Sequence, residues 1–437
     1  MASSPVTPHT PADALALKRR TITLALLTFV YFFSYMDRYI LAILLELIKA
    51  DLHLSDTQLG LLSGLAFAVF YATLGIPVAW LADRKSRRTI IAIALALWSG
   101  MTALCGLAQN YTQLLAARIG VGIGEAGSSP PSHSIIADLY APHERASAMA
   151  IYTTGVVLGG GFGSMIGGSI AAAYGWRAAM MAIGIPGVIL ALLIKFVLVE
   201  PRRGLSDPSH VPGDSASPKI RDGFRSLFGD GVAVHLVMAV TITSLIGYAL
   251  TAFGFSMLQR SYGIPMRSLA LFLAPGLAIV GTVSGIGGGW IADKAAKRWG
   301  LHAQSLMVAI LKTCALPCTL VFCIAPNGTV AISALVLSYV FASSYLGPTF
   351  ALLQGLAPVK LRAMWAAITL LVINLIGLGL GPTLVGGISD ALKPTYGADS
   401  LRYAMFLIAA ITPWAIFHYW RAGAVLGRRE RGVTAAA

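Results

Sequence analysis

Four ionisable residues stand inside otherwise apolar runs in the first third of the chain: Asp37 and Arg38 in one run, Arg118 and Glu125 in another. An ionisable side chain in hydrocarbon costs at least about 2.5–3.5 kcal/mol on insertion scales, so it marks a function unless its head can snorkel to water. The formal charges of the four sum to zero, which suits mutual neutralisation in a low dielectric. A carboxylate beside a guanidinium keeps its charge, whereas the same carboxylate left alone in a low dielectric takes up a proton. A conformational change that swaps those surroundings loads and releases a proton, which is the chemistry of a proton-driven carrier. The competing reading is a static charge network that only ties helices together. Arg118 and Glu125, seven residues apart, share a helix face but lie roughly 10 Å apart in height, so each needs a partner from elsewhere. Two further lysines fall in apolar runs. Lys195 is close enough to a run's end to snorkel, and Lys312 sits mid-run with its role open.

The elements that must position these groups are membrane helices. Of 437 residues, 57% are hydrophobic and 11% charged, against about 25% charged in soluble domains. That composition argues against a water-soluble enzyme or a nucleic-acid binder. A bilayer core about 30 Å thick takes about 20 helical residues to cross. Twelve stretches qualify, at approximately 21–45, 57–80, 89–108, 112–138, 145–173, 177–199, 232–257, 268–292, 302–324, 329–355, 362–388 and 401–421. Open sheets cannot span lipid, and barrel-type alternation is absent, so the expected fold class is all-α and polytopic.

Twelve spans put both termini on one side, and the Lys/Arg distribution selects which. With the N-terminus inside, 22 of the 32 Lys and Arg fall in inside segments and six in outside ones. The positive-inside rule then makes both termini cytoplasmic, and it accounts for the net charge of +14 without nucleic acid. On this topology Asp37 lies about 24 Å up the first span and Arg118 about 9 Å down the fourth. In a core of about 30 Å these heights coincide, so Asp37 with Arg118 is a candidate pair. Glu125 lies deeper, and Arg38 is a candidate to reach towards it. The N-terminal MASSPVTPHTPADALALKRR lacks the apolar core of a signal peptide and is expected to be retained. Cys105, Cys314, Cys318 and Cys323 all lie in apolar runs and read as packing residues, with neither a disulfide framework nor a metal set.

The longest polar segment, 200–231, is rich in Pro, Gly, Ser and Asp and reads as a cytoplasmic linker at the midpoint. Its KIRDGFRSLF stretch is either a short amphipathic helix on the membrane surface or simply solvated. The expected domains are a tail at 1–20, a six-helix bundle at 21–199, the linker at 200–231, a second bundle at 232–421 and a tail at 422–437.

The chain also repeats. GIPVAWLADRKSRR at 75–88 aligns with GIGGGWIADKAAKR at 285–298 at an offset of 210, with Trp80/Trp290 and Asp83/Asp293 among the identities. A weaker echo sets APHERASAMA at 141–150 against APVKLRAMWAA at 357–367. Two parallel six-helix repeats follow. Small-residue stretches at 155–168 and 377–387 suit close helix approach and sliding, and Pro130–Pro131 should distort the fourth helix beside Glu125.

Twelve spans as six plus six, a central linker and a G-x4-W-L-A-D-R-x2-R-R loop, departing from the usual pattern at Ser86, resemble the major facilitator superfamily. More narrowly, M-D-R at 36–38, S-D-x-Q-x-G-L-L at 55–62 and R-x-G-V-G-I-G-E-A at 118–126 resemble the spinster branch, the lysolipid and sphingosine-phosphate transporters and their bacterial relatives. The resemblance implies a secondary transporter working by alternating access. It brings the first and fourth spans to a shared cavity, with Asp37 and Glu125 as proton-sensitive groups and Arg38 and Arg118 as anion-holding or coupling groups. Glu125 doubles as a candidate substrate residue. In the second half the cavity candidates are neutral: Ser244 and Tyr248 in the seventh span, Tyr339 and Ser343 in the tenth and Asn374 in the eleventh. One charged wall and one neutral aromatic wall suit an amphiphile, and serines in membrane helices also serve as packing glue.

The resemblance further implies a gate at the loop motifs. Asp83 would latch a helix N-terminus, with Arg84, Arg87, Arg88 and Arg145 as candidate partners and Asp293 as its counterpart in the second copy. Acids contribute little to orientation, so these aspartates need a reason of their own. The expected protein is a monomeric carrier in a cell inner membrane, with protons and a small or lipid-like substrate as partners. No cofactor, metal or enzymatic activity is expected, since no P-loop and no nucleophile constellation is present. Competing readings are a carrier of small organic anions or hydrophobic drugs and, in another class, a membrane sensor built on a carrier fold.

Overall fold

The structure, a computed structural model, describes residues 10–82, 84–141, 144–206 and 220–436. Asp83, residues 207–219 of the linker and residues 1–9 of the tail lie outside the described residues. Among the described residues the regular structure is helical throughout. Among the described residues nine helical runs are long and apolar enough to cross a membrane. Ser147–Val197 holds two spans, because the chain turns at Gly175, whose φ of +83° is a backbone state that glycine adopts without strain. Met364–Gly432 likewise holds two. The remaining span is Tyr111–Glu125 continued by Ser129–Leu139. The fold is that of an all-α polytopic membrane protein with twelve spans.

Local sequence sets the helix ends. Ser55 Oγ accepts from the Gln58 N–H at 3.2 Å while Gln58 Oε1 accepts from the Ser55 N–H at 2.9 Å, a capping box. Asn110, Asn327 and Asp230 cap the helices Tyr111–Glu125, Gly328–Ala342 and Gly231–Tyr262 through their side-chain oxygens. The fourth span is interrupted at 126–128, just before Pro130 and Pro131. The tenth is interrupted at 343–345, between Gly328–Ala342 and Leu346–Leu356. These interruptions stand 217 residues apart, one more than the offset of 216 that aligns 141 with 357. The repeat therefore extends to the breaks in the helices.

The chain packs as two compact units. The first comprises Met1–Leu52, Ala66–Ser215 and Leu269–Pro275. In it, the first span lies tightly against Arg145–Val197: a Cβ on Gly159 would stand 2.3 Å from the Phe32 carbonyl oxygen, and one on Gly163 would stand 2.7 Å from Met36 Cα. The second unit comprises His53–Leu65, Ala216–Ser268 and Gly276–Ala437. Its core gathers Leu227, Leu236, Val308, Leu353, Trp365 and Tyr419. A short piece from the other half of the sequence is thus built into each unit.

Candidate functional site

In the first unit, Asp37, Arg118 and Glu125 are all buried, at 1%, 4% and 1% exposure. Arg38 reaches Glu125: its Nε and Nη2 each stand 2.7 Å from Glu125 Oε2. Ser34 Oγ donates to the same oxygen at 3.0 Å. Among the described residues no group donates to Glu125 Oε1. The Arg38 guanidinium also faces the rings of Tyr71 at 4.5 Å, Phe67 at 4.8 Å and Tyr35 at 5.1 Å. Desolvated cation–π contacts of this kind each contribute up to about 2 kcal/mol. Asp37 Oδ2 accepts from Thr102 Oγ1 at 3.0 Å, and its Oδ1 has no donor among the described residues. Arg118 lies over the Phe67 ring at 5.5 Å. Phe67 thus touches both guanidinium groups, one from each of the two spans that carry the acids.

The elements explain why these side chains meet. Ser34 and Arg38 are one helical turn apart on Arg20–Leu52, so both point at one neighbour. That neighbour is the last turn of Tyr111–Glu125, whose glycines let other helices approach: a Cβ on Gly122 would stand 2.6 Å from the Phe67 carbonyl oxygen, and one on Gly124 would stand 2.6 Å from the Trp98 nitrogen. Glu125 ends the helix at the break before Ser129.

The second unit is arranged differently. Ser244, 1% exposed, lies 3.2 Å from the Tyr345 hydroxyl. Ser343 Oγ donates to the Tyr339 carbonyl at 2.9 Å. Tyr339, Tyr248 and Asn374 are half-buried. Asn374 falls in a π-helical stretch, Ile373–Leu380, a form often found at functional sites. Lys312 is 6% exposed. Its Nζ donates to the Ala342 carbonyl at 2.8 Å and lies 4.3 Å from the Tyr345 ring. Lys312 therefore closes the C-terminal end of Gly328–Ala342, at the break that sets Tyr345 against Ser244. Its position in an apolar run was the signal, but the sequence did not name its partners.

A second polar cluster in this unit escaped the sequence analysis. Arg260 grips Asp56 with Nη1 at 2.8 Å and Nη2 at 2.9 Å, and Ser389 Oγ donates to Asp56 Oδ2 at 2.6 Å. Asp390 accepts from the Asp56 and Thr57 backbone N–H groups at 3.0 and 2.8 Å, which places a carboxylate at the start of the helix Asp56–Ser63. Close backbone approach makes this possible: a Cβ on Gly386 would stand 2.1 Å from the Asp56 carbonyl oxygen.

At the loop motifs, Arg84 Nη1 donates to the Trp80 carbonyl at 3.1 Å and its guanidinium lies 4.0 Å from the Trp80 ring. In the second copy Lys294 Nζ lies 3.4 Å from the Trp290 ring, the same pairing at an offset of 210. Arg88 Nη1 donates to the Leu198 carbonyl at 3.4 Å. Arg145 Nε donates to the Ala137 and Tyr140 carbonyls at 3.1 and 3.0 Å. Asp293 is exposed. The buried member of the motif is Arg87, at 1% exposure. It pairs with Asp138, takes Glu200 at 3.4 Å, and donates to Ser134 Oγ at 2.8 Å and to the Pro201 carbonyl at 2.7 Å. Asp138 and Glu200 were not singled out from the sequence, although as acids in basic segments they carried the same signal as Asp83.

A model of the Major Facilitator Superfamily matches residues 27–382. Among curated proteins, an MFS-type efflux pump of Mycolicibacterium smegmatis is 32% identical over 94% of this chain and 95% of its own. The spinster homolog 3 of Danio rerio is 26% identical over 92% of this chain and 84% of its own. Among solved structures, a bacterial homolog of the human lysosomal transporter spinster, in an inward-facing and unoccupied conformation, superposes with a TM-score of 0.84 at 28% identity, covering 95% of this chain and 98% of that one.

Proposed function

The chain belongs to the major facilitator superfamily and is a spinster-like, multi-pass membrane transporter, and from that premise we propose that it moves an amphiphilic, lipid-like substrate by alternating access, driven by protons. The observation that carries the coupling is the Arg38–Glu125 pair, fully buried on its acidic side and clasped by three aromatic rings. While paired, Arg38 and Glu125 neutralise each other. When Arg38 turns to an anionic head group, Glu125 is left in a low dielectric and takes a proton from the side then open. Return of Arg38 expels that proton on the other side. Asp37, on the same span, is the second titrating group, and Arg118 the second anion-holding one. The second unit contributes Ser244, Tyr248, Tyr339, Ser343 and Asn374 as neutral contacts for the rest of the substrate.

Asp83 and Asp293, with Arg84, Arg88 and Arg145, are the proposed gate of one face, and Asp56 with Arg260 is its counterpart at the other end of the second span. Both termini are proposed to be cytoplasmic, in a cell inner membrane. The test is a thermal-shift screen of the purified chain in detergent against a lysophospholipid, a sphingoid phosphate, a small organic anion and a hydrophobic cationic drug. A ligand at a hundred times its Kd stabilises by about 2.7 kcal/mol, and the amphiphiles are expected to do so. Stabilisation only by the non-amphiphilic anion contradicts the lipid reading. A carrier of hydrophobic drugs is the second reading, compatible with a relative described as an efflux pump, and stabilisation only by the cationic drug would select it.

A further inference from the structure

The helix Ile220–Gly229 leads into Asp230, the N-cap of the seventh span. It has two faces of opposite character. On one, Gly223 lies so near the eleventh span that a Cβ would stand 2.2 Å from Met364 Sδ. The Ser226 hydroxyl accepts from Trp365 Nε1 at 3.3 Å, and Leu227 is completely buried in the core of the second unit. This face fixes the helix to the protein. On the other, Arg221, Phe224, Arg225 and Phe228 are all exposed. Their spacing of three, four and seven residues puts them on one stripe. Phe224 and Phe228 stack with ring centroids 6.0 Å apart and expose 37% and 48% of their surface. Among the described residues no acid pairs with Arg221 or Arg225.

Two stacked phenylalanines offered to water cost free energy with no return inside the protein. The location supplies the occupant. The helix is fixed to the first residues of two spans, so its free face lies where hydrocarbon gives way to head groups. A short helix with aromatic rings on one stripe and arginines along the same stripe is the pattern of an interfacial element, with rings sunk among acyl chains and guanidinium groups on lipid phosphates. We propose that the stripe Arg221–Phe224–Arg225–Phe228 is a docking site for an anionic lipid leaflet. Because Gly223 and Ser226 fix the same helix to Met364 and Trp365, the leaflet grips the rod that carries Asn374. This holds whatever the substrate is, since it rests on the spans alone.

The test is amide hydrogen exchange of residues 221–229 in the full chain, in a nanodisc of phosphatidylcholine and in one with about a third phosphatidylglycerol. Each arginine beside an anionic surface is worth about fivefold in binding, so exchange is expected to slow by about fivefold or more in the anionic disc. Arg221→Gln with Arg225→Gln should erase the difference between discs. Phe224→Ser with Phe228→Ser should speed exchange in both, with the span Gly231–Tyr262 unchanged as the control for folding. Equal exchange in the two discs, or an anionic effect that survives loss of both arginines, would each overturn the proposal.

Discussion

The two units carry the same helical repeat and opposite chemistry. The first holds four ionisable groups in its first and fourth spans, with Glu125 and Arg38 in direct contact. The second answers with hydroxyls and aromatic rings, and its buried lysine, Lys312, turns to a backbone carbonyl rather than to an acid. Yet both keep a tryptophan beneath a cation at the loop motif, Trp80 with Arg84 and Trp290 with Lys294, and both break a span at matching places. The backbone plan and the breaks are thus shared property of the fold, while a titratable cluster inside the spans is the specialised feature of the first unit, the second keeping its buried pair, Asp56 with Arg260, at the ends of spans. That difference is the ground for proposing that protons act in the first unit.

The comparison can be broken most decisively by exchanging charge for neutrality. Glu125→Gln and Asp37→Asn should each abolish the pH dependence of transport in proteoliposomes, while Lys312→Met keeps it. Lys312→Met should change stability by less than about 2 kcal/mol, because removing a buried charge offsets the lost bond to the Ala342 carbonyl. A pH profile altered equally by all three would erase the distinction between the units. Next in size, Arg38→Ala leaves a buried carboxylate unpaired and should destabilise by about 3–5 kcal/mol, read as thermal unfolding in detergent.

The loop copies offer a sharper pair. Arg87 and Lys297 are equivalent at the offset of 210, but Arg87 is buried in its acid network and Lys297 is exposed. Arg87→Ala should cost about 3 kcal/mol or more, and Lys297→Ala about 0.5 kcal/mol or less. Similar losses would mean that burial does not separate the copies. Between these two falls Tyr345→Phe, which removes the hydroxyl beside Ser244 and should cost about 0.5–1.5 kcal/mol in the same assay.

What could be read from the sequence follows from where cost is concentrated. The spans, the six-plus-six repeat and the four charges were legible because an acid in an apolar run is rare and a Trp-x-x-Asp repeat is rarer. The reach of Arg38 to Glu125 followed from depth once the family resemblance had brought the first and fourth spans together. The Asp56–Arg260–Asp390 cluster was not legible, since its members lie 204 and 334 residues apart and each looks like an ordinary charge at a span's end. Nor could the sequence tell that His53–Leu65 packs with the second unit. Register between distant helices is set by close approaches such as Gly386 on Asp56, which leave no periodic trace. Arg87 was read as one of several equal candidate partners of Asp83, because burial is invisible in a basic loop.

The account rests on protons entering and leaving the first unit's acids. Infrared difference spectra of the full chain in liposomes, taken across an acid pH jump with a sphingoid phosphate present to draw Arg38 from Glu125, read carboxyl protonation directly. The account predicts a protonated-carboxyl band in the wild type that diminishes in Glu125→Gln and in Asp37→Asn and vanishes in the double variant. A band of undiminished size in the double variant would contradict it.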